Sequence, residues 1–131
     1  MLSTITEQVL ASEPDAISQV AWLLKQAKQE RAYSPAAWSW LEAAHIVGQT
    51  RLDLHGRVHG HILLRAWAER KWREVFAQIL RIALVPIGHL AQRLPMGNPG
   101  SSRVGALKSV PVPPYLVDLI VQSRAMAAPS Q

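Results

Sequence analysis

A chain of 131 residues is long enough for one domain with its own core and too short for two of ordinary size. Its 49% apolar and 18% charged residues exclude a chain that is disordered throughout. The absence of cysteine excludes disulfide scaffolds, thiolate metal sites and cysteine nucleophiles together, while a formal charge of +5 favours anions as electrostatic partners.

The opening stretch MLSTITEQVLASEPD lacks the basic start and unbroken apolar core of a signal peptide, with Glu7 in the middle of it, so a cytoplasmic location is expected. Thr4 followed by Glu7 reads as a capping box for a short helix to about Ser12. Pro14 fits the first turn of a longer helix to about Arg31, with Ile17, Val20, Ala21, Leu24 and Ala27 as its apolar stripe. Ser34 and Pro35 then open a helix that ends near Gly48, with Trp38, Leu41 and Ala44 facing the core and Glu42 and His45 bordering that face.

Gln49 to Leu52 form a turn, and Asp53 is the expected cap of a third helix reaching about Glu69. Val58, Ile62 and Ala66 mark its buried stripe. His55 and His59 share that side, whereas His61 is turned about 200° away from His59. Gly56 and Gly60 weaken this helix, so they are read as positions of close approach. A fourth helix is expected from Trp72 to Val85, with Trp72, Val75, Phe76, Ile79 and Ala83 inward, and Pro86 ends it before a turn or short helix carrying His89.

These elements make a core over about 14–94. Residues 95–113, rich in Pro, Gly and Ser, read as an extended arm over the surface, followed by a last helix over 114–126 and a disordered end. No strand pattern competes, so the expected fold is all-α: one domain of antiparallel helical hairpins, either a bundle or a tetratricopeptide-like array. The most apolar run, Ile79 to Ala91, is broken by Arg81, Pro86 and His89 and is too short to span a bilayer. No nucleic-acid motif occurs. The five tryptophans are expected on core faces, and Arg65, Arg70, Lys71 and Arg73 on a solvated basic face.

The chemistry concentrates between Trp38 and His61. Glu42 and His45 lie three apart on one helix and His55 and His59 four apart on the next, so two adjacent helices can aim three imidazoles and a carboxylate at one point. Imidazole nitrogen suits a divalent transition metal, zinc by default, with copper, nickel, cobalt and iron also accommodated. A di-iron centre is excluded by the lack of further carboxylates at the right spacing. The bland alternative is packing, with His45 hydrogen-bonded to Glu42 or to a neighbouring carbonyl and His55 and His59 as partly buried helix residues. Arg57 and Arg81 can pair with Glu42 or hold an anion, Asn98 reads as a turn residue, and His89 as a surface or helix-end histidine.

The runs LEAAHIVGQ, HGRVH, WREVFAQILRI and PMGNPGSSRVGALKSVPVPP, in this order, resemble a family of small bacterial proteins catalogued only as a domain of unknown function. The likeness spans Ala37 to Pro114 and places Glu42, His45, Gln49, His55, Arg57, His59, Trp72, Gln78, Arg81 and Asn98 on the family's pattern. It implies a helical fold and supplies no activity. The chain departs from that pattern at Gly60, where a bulky aromatic is expected, and at Pro99.

Three functions follow from this reading. The first is a metal-handling or sensing accessory that binds a transition metal through His45, His55 and His59, with Glu42 as a fourth ligand or its partner and Gln49, Arg57 and Arg81 around them. The second is a metal-free interaction module, with a protein partner or a second copy on a helical face or the arm. The third is a small hydrolytic or redox enzyme with Glu42 as general base.

Overall fold

Five helices carry the fold in the computed structural model, which describes residues 15–92, 98–102 and 109–127. They are α1 (Ala16–Gln29), α2 (Pro35–Gly48), α3 (Leu52–Ala68), α4 (Trp72–Leu90) and α5 (Pro114–Ala127). The all-α class is as expected, and among the described residues there is no strand. The short helix expected near Thr4 and the end after Ala127 lie outside the described residues.

Local chemistry sets most boundaries. Asp15 is the N-cap of α1, its carboxylate accepting the Ser18 backbone N–H at 2.7 Å. Ser34 precedes Pro35 at the start of α2 as expected, although its hydroxyl donates to Glu30 at 3.3 Å instead of capping the helix. The cap of α3 is Arg51, not Asp53, which sits in the first turn and binds Arg51 at 3.0 Å on the surface. After α3 the chain makes a Schellman turn: Lys71 N–H donates to Ala66 O at 2.9 Å, Arg70 N–H to Trp67 O at 3.1 Å, and Arg70 takes φ 55°.

Neighbouring helices joined by these short turns pack as hairpins: α1 on α2, α2 on α3 and α3 on α4, while α5 returns across α1 and α2. Val20, Leu23 and Leu24 of α1, Leu41 and Ala44 of α2, Leu54, Val58 and Ile62 of α3 and Leu116 of α5 form one apolar core. Each large aliphatic side chain fully buried there stabilises the fold by about 1.5–3 kcal/mol. Ile17 and Ala21, expected in this core, are exposed, because α1 turns Leu23 and Gln19 inward instead. Trp67 and Trp72 are likewise exposed, against the expectation that the tryptophans face the core.

The fourth helix departs furthest from expectation. It continues through Pro86 to Leu90, so His89 belongs to its last turn and not to a separate element. Its phase is also different: Val75 is buried as expected, but Trp72, Phe76, Ile79 and Ala83 are exposed. The buried side is Glu74, Val75, Gln78, Arg81 and Val85, because polar partners on α3 and on residues 98–102 draw the polar stripe inward. Those residues are no surface arm either, since Asn98, Pro99, Gly100 and Ser101 are all buried.

Glycine plays a different part from the one read off the sequence. A Cβ at Gly56 or Gly60 would meet nothing within 4 Å, so neither is a close approach. The crowded glycines are Gly48, where a Cβ would lie 3.1 Å from Leu54 Cβ and 3.2 Å from Val20 Cγ2, and Gly100. Gly48 lets α3 and α1 close on the end of α2, where the site is built.

Candidate metal centre

His45 lies in the last turn of α2, and the short turn after Gly48 folds α3 back beside it. His55 and His59, one turn apart, share the face of α3 that carries Val58 and Ile62 into the core, so both rings are carried in with the stripe. All three are buried, at 2–5% exposure. Their ligand atoms lie within 4.8 Å of one another, the one such group of His, Asp or Glu among the described residues that can hold a metal ion. Glu42 is not a member.

The ring nitrogens face each other closely. His45 Nε2 lies 3.0 Å from His55 Nε2 and 3.1 Å from His59 Nε2. The opposite nitrogens decide which of these carry protons. His45 Nδ1 lies 2.7 Å from the Asn98 backbone carbonyl, which only accepts, so this nitrogen is the N–H. His59 Nδ1 lies 2.6 Å from Gln78 Oε1. The Gln78 amide is oriented by its NH2 group, which donates to Glu74 Oε1 at 2.7 Å and to Gly100 O at 2.8 Å, so His59 Nδ1 must also be the N–H.

Two neutral rings therefore present bare Nε2 lone pairs to each other at 3.1 Å. His55 supplies at most one proton to this trio, since its Nδ1 shares a hydrogen with His89 Nε2 at 3.0 Å. An electropositive centre among the nitrogens resolves the repulsion. Zinc bonds imidazole at about 2.0–2.1 Å, which places tetrahedral nitrogens roughly 3.3–3.4 Å apart, a few tenths of an ångström beyond the spacing here.

Electrostatics keep the rings neutral, the form that binds metal. Burial pushes His55 down to about 3, with the charges of His59 and His89 adding to the shift. Burial also holds His45 well below the ordinary histidine range, reinforced by His59 and His55 and opposed by the Asn98 hydrogen bond. His59 is lowered by burial, against the Gln78 hydrogen bond.

A polar shell fixes the rings from behind. Glu74 accepts from Gln78 and also takes the Ser102 backbone N–H at 3.0 Å and the Ser102 hydroxyl, so it anchors residues 98–102 to α4. Asn98 Oδ1 accepts Gly100 N–H at 2.9 Å, a turn role as expected, and the turn aims its carbonyl at His45. Gly100 has φ 84°, and a Cβ there would lie 2.5 Å from His45 Cδ2. Arg81 is buried close enough for its charge to act on His45 and His59, and burial lowers its own pKa while Glu74 opposes that shift.

The other expected site residues lie elsewhere. Glu42 is buried but accepts the Tyr115 hydroxyl of α5. It lines a cavity of about 440 Å³ with Trp38, Lys71, Glu74, Ser101 and Tyr115, and none of the three histidines lines that cavity. Gln49 is buried at the end of α2, and Arg57 is exposed, its charge acting on His61. His61 is set apart from the triad, as its helical phase implies. Sequence reasoning missed the contact of His89 with His55 and the seat of Gly100 on His45; the signal for the former was its place in the last turn of a helix expected to end at Pro86.

A family model described as Protein of unknown function (DUF3703) matches residues 15–120. No curated protein and no solved structure matches the chain.

Proposed function

The chain belongs to the family described as Protein of unknown function (DUF3703), and because that description assigns no activity we propose from the chemistry of the site that the protein binds a transition metal through His45, His55 and His59, as a small metal-handling or sensing accessory. One observation carries the reading: the Nε2 lone pairs of His45 and His59 meet at 3.1 Å while both Nδ1 protons are committed to carbonyl oxygens. A packing role for the histidines leaves that repulsion unrelieved. Zinc is the default ion for three neutral imidazoles, and copper, nickel and cobalt are accommodated by the same donors.

The residues around the triad have defined parts in this reading. Gln78 and the Asn98 carbonyl hold the Nδ1–H tautomers, so each Nε2 is ready to coordinate; partners of this kind typically contribute 10–100-fold in metal affinity. His89 orients His55 in the same way. Glu42, held by Tyr115 in the neighbouring cavity, is not used as a ligand, and solvent supplies any fourth position.

The test is calorimetric titration of untagged, metal-stripped protein with Zn²⁺, Co²⁺, Ni²⁺ and Cu²⁺. One ion per chain is expected, with binding abolished in His59→Ala and weakened roughly tenfold to a hundredfold in Gln78→Leu. Failure of the wild-type protein to bind any of the four ions overturns the proposal.

A further inference from the structure

The outer face of α4 is apolar along its whole length, and no described helix covers it. Trp72, Phe76, Ile79, Ala83, Pro86 and Leu90 follow one another at spacings of 4, 3, 4, 3 and 4 residues, and all six are exposed. Phe76 is 70% exposed and Leu90 88%, values far above those of a surface that the chain itself covers. Leu80 and Ile87, exposed at 58% and 61%, widen the seam on one side. Among the described residues α4 packs on no helix but α3, and the face opposite its polar stripe meets none of them.

We infer that this seam is the interface of a homodimer in which α4 pairs antiparallel with α4 of a second copy. Alternating steps of three and four are the repeat by which one helix fits its side chains into the gaps of another with the same repeat, and the same helix of a second copy meets that requirement. A twofold axis across the middle of α4 makes the seam complementary to itself. The seam runs over the 19 residues from Trp72 to Leu90, about 27 Å of helix.

Charge selects the direction. At the N-terminal end of the seam the exposed basic residues Arg70 and Arg73 gather, Lys71 being bound to Glu69 at 3.2 Å, while Glu74 and Arg81 turn inward. A parallel pair would set these cations against their copies. An antiparallel pair sets them beside the last carbonyls of the opposing helix, the negative end of its dipole. The same distribution disfavours a membrane surface, which calls for basic residues along both flanks of an apolar stripe.

The area is sufficient. The large exposed side chains of the seam offer on the order of 100 Å² each, roughly 600 Å² in all, before α3 contributes. Leu64 and Trp67 of α3 are 69% and 62% exposed, and Trp67 packs edge-on against Trp72 with ring centroids 5.2 Å apart. Together they bring each copy near the roughly 800 Å² of a standard interface.

Sedimentation velocity on the full chain tests the inference. Wild-type protein at tens of micromolar should sediment as a species of twice the 14.5 kDa chain mass. Phe76→Glu combined with Leu80→Glu should give a monomer with unchanged helicity by circular dichroism, since both side chains are exposed. Because the chain has no cysteine, Trp72→Cys mixed with Leu90→Cys should form a disulfide-linked pair on mild oxidation, and Trp72→Cys alone should not. A wild-type monomer, or a dimer that survives the double glutamate change, overturns the inference. So does a monomer that binds anionic phospholipid vesicles through this face, and efficient cross-linking of Trp72→Cys with itself overturns the antiparallel arrangement.

Discussion

The buried polar cluster around Glu69 and the one around the histidine triad differ in how their hydrogen bonds balance. The Glu69 carboxylate, fully buried, accepts from Trp38 Nε1 at 3.0 Å, the Tyr33 backbone N–H at 3.1 Å, Arg65 Nε at 2.5 Å and Lys71 Nζ at 3.2 Å. Four donors meet the four lone-pair directions of a carboxylate. Arg65 goes on to the carbonyls of Glu30, at 3.2 Å, and Arg31, so the cluster ties the α1–α2 turn to the end of α3. The triad has the reverse balance, with every Nδ1 engaged and the three Nε2 atoms sharing at most one proton. A saturated cluster is scaffold. A cluster with acceptors in excess has the donor set that can hold a cation.

Removing the saturated side of this comparison should have the largest effect on folding. Glu69→Ala strands the Trp38 N–H and leaves the Arg65 charge without its carboxylate, and breaking a buried ionic cluster in this way costs about 3–5 kcal/mol. Urea denaturation should register that loss with metal present or absent. A loss under about 1 kcal/mol would show that Glu69 does not hold the two turns together.

Acid probes the unsaturated side. In the metal-free protein His45, His55 and His59 have native pKa values below the ordinary 6.5, while the unfolded chain takes up protons near that value. Their contribution is therefore complete above about pH 6.5 and is lost as pH falls toward the His55 value of about 3. Each histidine removes about 1.4 kcal/mol per pH unit travelled inside its window. Glu69, whose hydrogen bonds to Trp38, Arg65 and Lys71 lower its pKa against the effect of burial, starts to add its own loss only below the ordinary glutamate range. Urea midpoints that fall between pH 6.5 and 5 are expected, and a flat profile there would mean the rings are not held neutral by burial.

The same contrast explains what could be read from the sequence. His55 and His59 were legible because α3 alternates apolar and polar residues at a helical period, so Val58 and Ile62 fix the phase that carries the rings inward. His45 followed from its place near the end of α2. The phase of α4 was not legible: its apolar residues face out and Glu74, Gln78 and Arg81 face in, and only partners far along the chain reveal why. Glu69 enters the sequence reading only as the end of α3, and Arg65 and Lys71 only as part of a solvated basic face, yet both are bound to Glu69. Glu42 was drawn toward the triad by its spacing from His45, whereas Tyr115, more than seventy residues later, holds its carboxylate. Periodicity reports which face is apolar, and long-range polar pairing overrides it.

Gly100 gives the finest test, because it touches the triad without offering a ligand. Its φ of 84° strains any other residue, and a Cβ would lie 2.5 Å and 2.6 Å from His45 Cδ2 and Cγ. The ring cannot retreat without giving up the Asn98 carbonyl at 2.7 Å or its approach to His55 and His59. Gly100→Ala should thus cost about 2 kcal/mol of stability, within the usual range for backbone strain of this kind. It should also weaken metal binding, since displacement of His45 opens the nitrogen spacing. Gly60→Ala serves as the contrast, because a Cβ there meets nothing within 4 Å and the change adds about 0.5–1 kcal/mol of helix stability. If Gly100→Ala instead behaves like Gly60→Ala, residues 98–102 do not rest on His45, and the tautomer that leaves its Nε2 bare loses its anchor.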